Sequence, residues 1–314
     1  MPLISVIIPV YNSELYIRKA INSVLEQPED IEIIIIDDGS IDSSFSICEN
    51  IANENKNIRI LRHPDSKNHG RSATRNLGIT NAKGNYIAFL DADDYYLPNR
   101  FKNDIELLKD ESVDGVYNAI SAHFYRDFTA IEREKLKLTT LKEVISPKNL
   151  FEKIGPIGHF GYFSGIGLTV KKSAFKKTGL FNQLLDVAED TELWLKMALK
   201  INLKSGNISE PVAMRGVHNT NSSFRDKEMY IVNNLRMYES LLNWCFENKI
   251  DLKRIDLIWK KVWINRVLND KKLNSDFIFW ISNVVRHPSL LLLKRVYKTF
   301  PFFRRIKNMK FFKK

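Results

Sequence analysis

The sequence predicts an α/β fold, a mostly parallel sheet flanked by helices, followed by a C-terminal helical extension. Three observations predict it. Apolar strand-like runs alternate with amphipathic helical segments through the first hundred residues, joined by short connections, which is the pattern of right-handed βαβ units. The runs themselves carry little charge and many β-branched residues, as strands buried on both faces do. Acids then fall where the runs end, in Asp37-Asp38-Gly39-Ser40 and again in Asp91-Ala92-Asp93-Asp94. That edge is where open α/β sheets bind ligands.

The elements follow in order. Leu3 to Pro9 reads as the first strand, ending at Val10-Tyr11-Asn12, with Asn12 or Ser13 capping a helix that carries Ile17, Ala20, Ile21, Val24 and Leu25 on one face. A second strand runs from Ile31 to Ile36, and a second helix carries Phe45, Ile47, Ile51 and Ala52. Ile58 to Leu61 is a short third strand, after which Asn68-His69-Gly70 leads into a third helix. Tyr86 to Leu90 is the fourth strand and drives into three carboxylates, with Asp94 expected at a helix start near Pro98. Asp91 and Asp93 are two apart, so in an extended segment both project to one side and repel unless a cation lies between them. The dinucleotide-binding fold shares this alternation but needs a glycine fingerprint after its first strand, where Pro9-Val10-Tyr11-Asn12 stands instead.

Composition bounds the rest. A chain of 314 residues, 44% hydrophobic, can bury a full core and one extension. Cys48 and Cys245 match neither a disulfide framework nor a zinc spacing, which suits a reducing compartment. The first residues lack the basic segment and the long apolar run of a signal peptide, and no run reaches a bilayer span, so the expected location is the cytoplasm, at the inner face of the membrane. The net charge of +11 is unevenly placed: no acid follows Asp276, and ten lysines and arginines do. Residues 1–276 are therefore close to neutral.

Four motifs together, Pro9-Val10-Tyr11-Asn12, Asp37-Asp38-Gly39-Ser40, Gly70-x-Ser72-x-x-Arg75-Asn76-x-Gly78-Ile79 and Phe89-Leu90-Asp91-Ala92-Asp93-Asp94, resemble the successive motifs of family 2 inverting glycosyltransferases with the GT-A fold. Thr74 departs from the alanine many members have before the arginine. The resemblance continues through Glu189-Asp190-x-Glu192-Leu193-Trp194 and Arg215-Gly216-Val217-His218-Asn219-Thr220-Asn221 to about residue 223. It implies a GT-A domain over residues 1–223, with a nucleotide-sugar half at 1–97 and an acceptor half at 98–223, and a helical extension over 224–314.

The resemblance also implies roles. Asp93 would ligate Mn²⁺ or Mg²⁺, with Asp91 beside it on the ribose or on a metal-bound water, and Pro9 and Ala92 in the same donor-binding set. Tyr11 would stack on the base, the uracil of a UDP-sugar, while Asp38 accepts its ring N–H; packing and a turn cap are the plainer readings of these two. Arg75 would reach the base or the diphosphate, or else form an ordinary salt bridge. Asp190 would be the base that takes the acceptor hydroxyl proton, Glu189 would orient the acceptor, His218 would complete the metal shell, and Arg215 would neutralise phosphate charge. The expected reaction moves one sugar to a glycan or lipid-linked acceptor in surface polysaccharide assembly.

Other classes fit less well. An aspartyl-phosphate phosphotransferase looks for threonine or valine where Tyr95 stands, a nucleotidyltransferase needs a glycine- and lysine-rich first turn, and a Ca²⁺ loop would end on Lys102. A non-catalytic nucleotide-sugar-binding module remains, against which stands the presence of both Asp93 and Asp190. In the tail, Phe277-Ile278-Phe279-Trp280-Ile281, Leu290 to Leu293 and Phe300-Pro301-Phe302-Phe303-Arg304-Arg305 interleave apolar and basic residues. Residues 277–314 are expected to contact an anionic membrane rather than nucleic acid.

Overall fold

The computed structural model describes residues 3–221, 227–269 and 273–301. Two units are distinguished, Met1–Leu184 with Glu189–Phe224, and Leu185–Ala188 with Arg225–Lys314.

The first unit opens with β1 (Ile4–Val10), α1 (Ile17–Leu25), β2 (Ile31–Asp37), α2 (Ser44–Glu54), β3 (Ile58–Arg62), α3 (Gly70–Asn81) and β4 (Tyr86–Phe89). It continues with β5 (Tyr95–Tyr96), α4 (Lys102–Leu108), β6 (Gly115–Tyr117), β7 (Ser121–Phe124), α5 (Ala130–Leu136) and α6 (Pro147–Lys153). It ends with β8 (Leu168–Lys171), α7 (Ala174–Thr178), α8 (Glu189–Lys200), β9 (Leu203–Ser205) and β10 (Ala213–Val217). Seven strands form one sheet in the order β3-β2-β1-β4-β8-β6-β9, and β5, β10 and β7 form a second. Strands β3, β2, β1 and β4 pair in parallel, while β8 runs antiparallel to β4 and β6. Because β1, β2 and β4 are parallel, Tyr11, Asp38 and Asp91 all emerge at one edge.

Alternation along the buried strands sets the layers. Ile4, Val6, Ile8, Ile33 and Ile35 pack with Ile17, Ala20, Ile21 and Val24 of α1 and Cys48 and Ile51 of α2. Ile7 and Ile36 face the other way, toward α3. A Cβ at Gly78 would lie 2.6 Å from Ile7 Cγ2 and 2.8 Å from Ile36 Cδ1, so glycine here lets α3 settle on the sheet. Each fully buried isoleucine is worth roughly 1.5–3 kcal/mol over an exposed one, so the isoleucine runs of β1 and β2 carry much of this half. In the second half the fully buried Arg100 donates to Asp104 at 2.7 Å, and Asp104 also accepts from Thr169 at 2.6 Å and Asn118 at 2.8 Å. That network fastens α4 to β8 and to the segment after β6, with both charges paired as burial demands.

Two local expectations change. Helix α1 begins at Ile17 without a side-chain cap. Asn12 adopts a left-handed φ of 49° and its side chain accepts from Ile41 N–H at 2.9 Å, while the Ser13 hydroxyl turns back to the Tyr11 carbonyl. Asp94 does not start a helix either. It is buried and its carboxylate accepts from Gly216 N–H at 2.8 Å; the chain runs on into β5, and α4 waits until Lys102.

The second unit comprises α9 (Lys227–Glu247), α10 (Leu252–Asn269), α11 (Leu273–Arg286), a 3₁₀ turn at Pro288–Leu292 and α12 (Lys294–Lys298). Its tail is partly packed. The Trp280 indole donates to the Val296 carbonyl at 3.0 Å, Trp259 donates to Thr299 Oγ1 at 3.0 Å, and the Phe300 ring lies 5.0 Å from that of Trp280. Residues 302–314, the most basic part of the expected membrane segment, lie outside the described residues. Among the described residues no helix is long and apolar enough to cross a membrane.

Candidate active site

The Asp91–Asp94 turn and the end of β10 meet at the sheet edge. Strand β10 pairs with β5 and β7, which carries Arg215 and Gly216 against the turn. The approach is close enough to exclude any side chain: a Cβ at Gly216 would stand 2.1 Å from the Asp93 carbonyl oxygen. Beyond β10 the chain turns so that His218 Nε2 lies 2.9 Å from Asp93 Oδ2, with the Asn221 amide donating to the same oxygen at 3.1 Å. The imidazole is held on its other side by Thr220 Oγ1 at 2.8 Å from Nδ1, and its face stacks on Tyr16 with centroids 4.8 Å apart.

Asp91 and Asp93 have opposite surroundings. Loss of water opposes the Asp91 charge, but the Arg75 guanidinium, 2.6 Å away, more than offsets it and holds the carboxyl below the usual carboxylate range. Burial and the neighbouring Asp91 charge push Asp93 up instead, against the pull of His218. Asp94, buried beside both, is pushed well above the ordinary value by burial and then by Asp93 and Asp91. Such crowded carboxylates suit a divalent cation. The Asp93 carboxylate is the hard oxygen ligand that Mn²⁺ or Mg²⁺ takes, and the His218 Nε2 that hydrogen-bonds it lies beside the same position. Among the described residues no three His, Cys, Asp or Glu side chains converge to hold a metal unaided, so other oxygens must complete any such shell.

Arg75 is not a surface residue. It lies buried on α3 and also donates to Glu189 Oε1 at 3.1 Å, with Arg71 3.5 Å from that oxygen. Glu189 is only 2% exposed, so its carboxylate serves the two arginines rather than facing solvent. Burial and then the Asp190 charge raise the Glu189 carboxyl, with Arg75 and Arg71 opposing them. Asp190 is exposed at the first turn of α8, where its carboxylate accepts from Thr191 N–H at 2.6 Å, and its charge reaches Arg75 as well. Arg215 donates to Ser164 Oγ at 3.2 Å, and its charge lowers both Asp91 and Asp94.

The base-side residues separate. Tyr11 is 48% exposed at the end of β1, just beyond Pro9, which pairs with Ile36. Asp38 is buried and caps α3: its two oxygens accept from His69 N–H at 2.8 Å and Gly70 N–H at 3.0 Å, with His63 Nε2 at 3.5 Å. Asp38 thus caps the start of α3 and not its own turn, where Asp37 accepts from Ser40 N–H at 3.3 Å, and its remaining lone pairs are left for other partners. Ala92 is buried between Asp91 and Asp93. Tyr16, Gly216 and Asn221 were missed by motif reasoning: Tyr16 had no pattern to single it out, while Gly216 and Asn221 lay within the quoted Arg215–Asn221 stretch without a role.

A mostly parallel sheet with crowded acids at its carboxyl edge, beside a second small sheet, frames the site, and the chain belongs to Glycosyl transferase family 2, whose profile matches residues 5–175. An uncharacterized glycosyltransferase of Haemophilus influenzae is 35% identical over 153 residues, 48% of this chain and 58% of that protein. The minor teichoic acid biosynthesis protein GgaA of Bacillus subtilis is 32% identical over 253 residues, 77% of this chain and 52% of that protein. The chain thus spans little more than half the length of these curated relatives. The crystal structure of S. aureus TarS 1-349 in complex with UDP-GlcNAc matches with a TM-score of 0.62 at 20% identity, covering 85% of this chain and 73% of that one. At that identity the likeness speaks to the fold.

Proposed function

We propose that the chain is a metal-dependent inverting glycosyltransferase that moves one sugar from a UDP-sugar to a glycan or lipid-linked acceptor in cell-surface polysaccharide assembly. The observation that carries this reading is the meeting of unlike groups from distant segments: Asp91 and Asp93 after β4, Arg75 on α3, Arg215 and His218 on and after β10, and the exposed Asp190 at the start of α8. Support for the donor comes from the UDP-GlcNAc complex of TarS, and for the pathway from GgaA.

Asp93 and His218 would hold Mn²⁺ or Mg²⁺, with diphosphate oxygens filling the remaining positions. When bound, the cation supplies positive charge to the departing diphosphate. Arg215 adds a fixed cation, and Arg75 keeps Asp91 ionised and in place. Tyr11 offers its exposed ring to the base. Asp190, alone among these acids in being exposed and held by no arginine in hydrogen-bond range, takes the acceptor hydroxyl proton. The hydroxyl oxygen then bonds to carbon 1 of the sugar as the bond from carbon 1 to the diphosphate breaks, and the configuration inverts. Glu189 acts behind it, positioning Arg75. Residues 277–314 of the helical extension contact the anionic cytoplasmic face of the membrane.

The test is nucleotide release from UDP-, GDP- and CMP-sugars with Mn²⁺ and with chelator, for the wild type and Asp190→Asn. Metal-dependent release from one UDP-sugar, lost in the variant, is the expected result. If no nucleotide bound even with Mn²⁺, the reading would fail; nucleotide binding without turnover on any acceptor would leave the binding-module alternative.

A further inference from the structure

Helix α11 is built inside out. Its inward residues are Asp276, Trp280 and Asn283, all buried, while Phe277, Ile278, Ile281 and Val285 lie on the exposed face, Ile278 at 68% and Val285 at 72%. A helix that only needed to pack would bury the second set. The same unit holds a cleft of about 410 Å³ at the start of α10 and along α12. Lys253, Lys294, Arg295 and Lys298 line it, with Asp256 as its one acid and Leu292, 72% exposed, at its apolar side. Asp256 is already engaged by Arg295 at 2.8 Å. Among the described residues Lys253, Lys294 and Lys298 have no ion-pair partner, which leaves three ammonium groups around one cleft.

We infer that this cleft seats the phosphate of an anionic phospholipid headgroup, so that the helical unit docks on the membrane at a defined lipid and not by diffuse charge alone. The inference rests on the proposed membrane contact and gives it a site. Three uncompensated lysines match a phosphate diester. Leu292 and the outward face of α11 offer apolar surface to the acyl boundary, as interfacial helices do. The charge pattern agrees, since no acid follows Asp276.

The experiment is co-sedimentation of the full chain with phosphatidylcholine vesicles, with and without about one-third phosphatidylglycerol, the anionic class that attracts basic segments. Two variants remove equal charge: Lys253→Gln/Lys294→Gln/Lys298→Gln in the cleft, and Lys307→Gln/Lys310→Gln/Lys313→Gln near the C-terminus. Each lysine at an anionic surface is worth about fivefold in binding. The wild type is expected to sediment only with anionic vesicles, the cleft variant to bind about a hundredfold more weakly, and the C-terminal variant to lose clearly less. Equal losses in both variants would overturn the site in favour of diffuse charge, and equal sedimentation with neutral vesicles would overturn headgroup recognition. Saturable binding of inorganic phosphate by the cleft without vesicle binding would make it a soluble-phosphate site. A wild type that sediments with neither vesicle would overturn the membrane contact itself. Binding of UDP with Mn²⁺, measured on the same samples, reports separately on the glycosyltransferase reading and is expected to be equal in all three proteins.

Discussion

His218 Nε2 lies 2.9 Å from Asp93 Oδ2 although 125 residues separate them along the chain. The pair joins the carboxyl edge of the large sheet to the loop after β10, and Asn221 donates to the same carboxylate oxygen. If this pair holds the cation, Asp93→Asn is expected to weaken UDP binding in Mn²⁺ by about 10–100-fold and His218→Ala by about tenfold, the scale on which ligand and supporting contacts act. Calorimetric titration of UDP with Mn²⁺ and with chelator checks this. With chelator the wild type and both variants should bind alike.

Tyr16 supports the imidazole face to face, with rings inclined by only 16°. An aromatic pair of this kind is worth about 0.5–1.5 kcal/mol beyond its buried area, or about two- to twelvefold in an equilibrium constant. Tyr16→Phe should keep Mn²⁺-dependent UDP affinity, and Tyr16→Leu should lower it within that range. An effect of the same size in chelator would assign Tyr16 to general packing.

Gly216 permits the closest backbone approach in the site. Alanine there would put its Cβ against the Asp93 carbonyl, and neither strand β10 nor the acidic turn can yield without breaking the bond from Gly216 N–H to Asp94. Overpacking of this sort costs about 1–3 kcal/mol. Gly216→Ala should lower the urea midpoint accordingly and abolish nucleotide release, while Gly179→Ala, whose added Cβ meets nothing within 4 Å but sits at a φ of +79°, should cost stability without touching the reaction.

Asp190→Asn keeps the shape of the first turn of α8 and removes only the proton acceptor. General-base removal lowers turnover by about 10²–10⁴-fold. UDP affinity should be unchanged, because no metal or base contact is assigned to this side chain. A fall in nucleotide affinity equal to the fall in turnover would move Asp190 out of the role of base.

What was legible in the sequence follows from how locally each feature is encoded. Strands β1 to β4 and their helices announce themselves through uncharged runs, periodic apolar faces and acids at the strand ends, and the edge where Tyr11, Asp38 and Asp91 emerge follows from parallel pairing. Asp94 was misplaced because a carboxylate four residues before Pro98 satisfies a helix-start pattern equally well. Its actual partner, Gly216 N–H, is 122 residues away. Arg75 could be placed on a helix, but its sandwiching by Asp91 and Glu189 depends on how α3 and α8 meet, which no spacing records. The outward apolar face of α11 was visible only as a hydrophobic run, since which side of a helix is buried is decided by its neighbours.

Glu32 offers a check on the fold away from the reaction. Burial on β2 opposes its charge, yet bonds from Ser5 Oγ, Lys83 N–H and Gly84 N–H, with the charge of Arg59, outweigh burial and hold the carboxyl below its ordinary value. A lowered folded value means the unfolded chain binds the proton more readily, so ionised Glu32 contributes stability that is fully present above the unfolded value of about 4.3. That contribution is lost as the pH falls through the lower folded value. Glu32→Gln should therefore cost about 1–3 kcal/mol at neutral pH, the scale of hydrogen bonds to a charged group. In urea unfolding followed from pH 7 downward, the gap between wild type and variant should persist to about pH 5, begin to shrink near the unfolded value of about 4.3 and close only below the lowered folded value. A gap that stayed constant to the acid limit would show that shape, and not charge, makes Glu32 the pin between β1, β2 and the turn before β4.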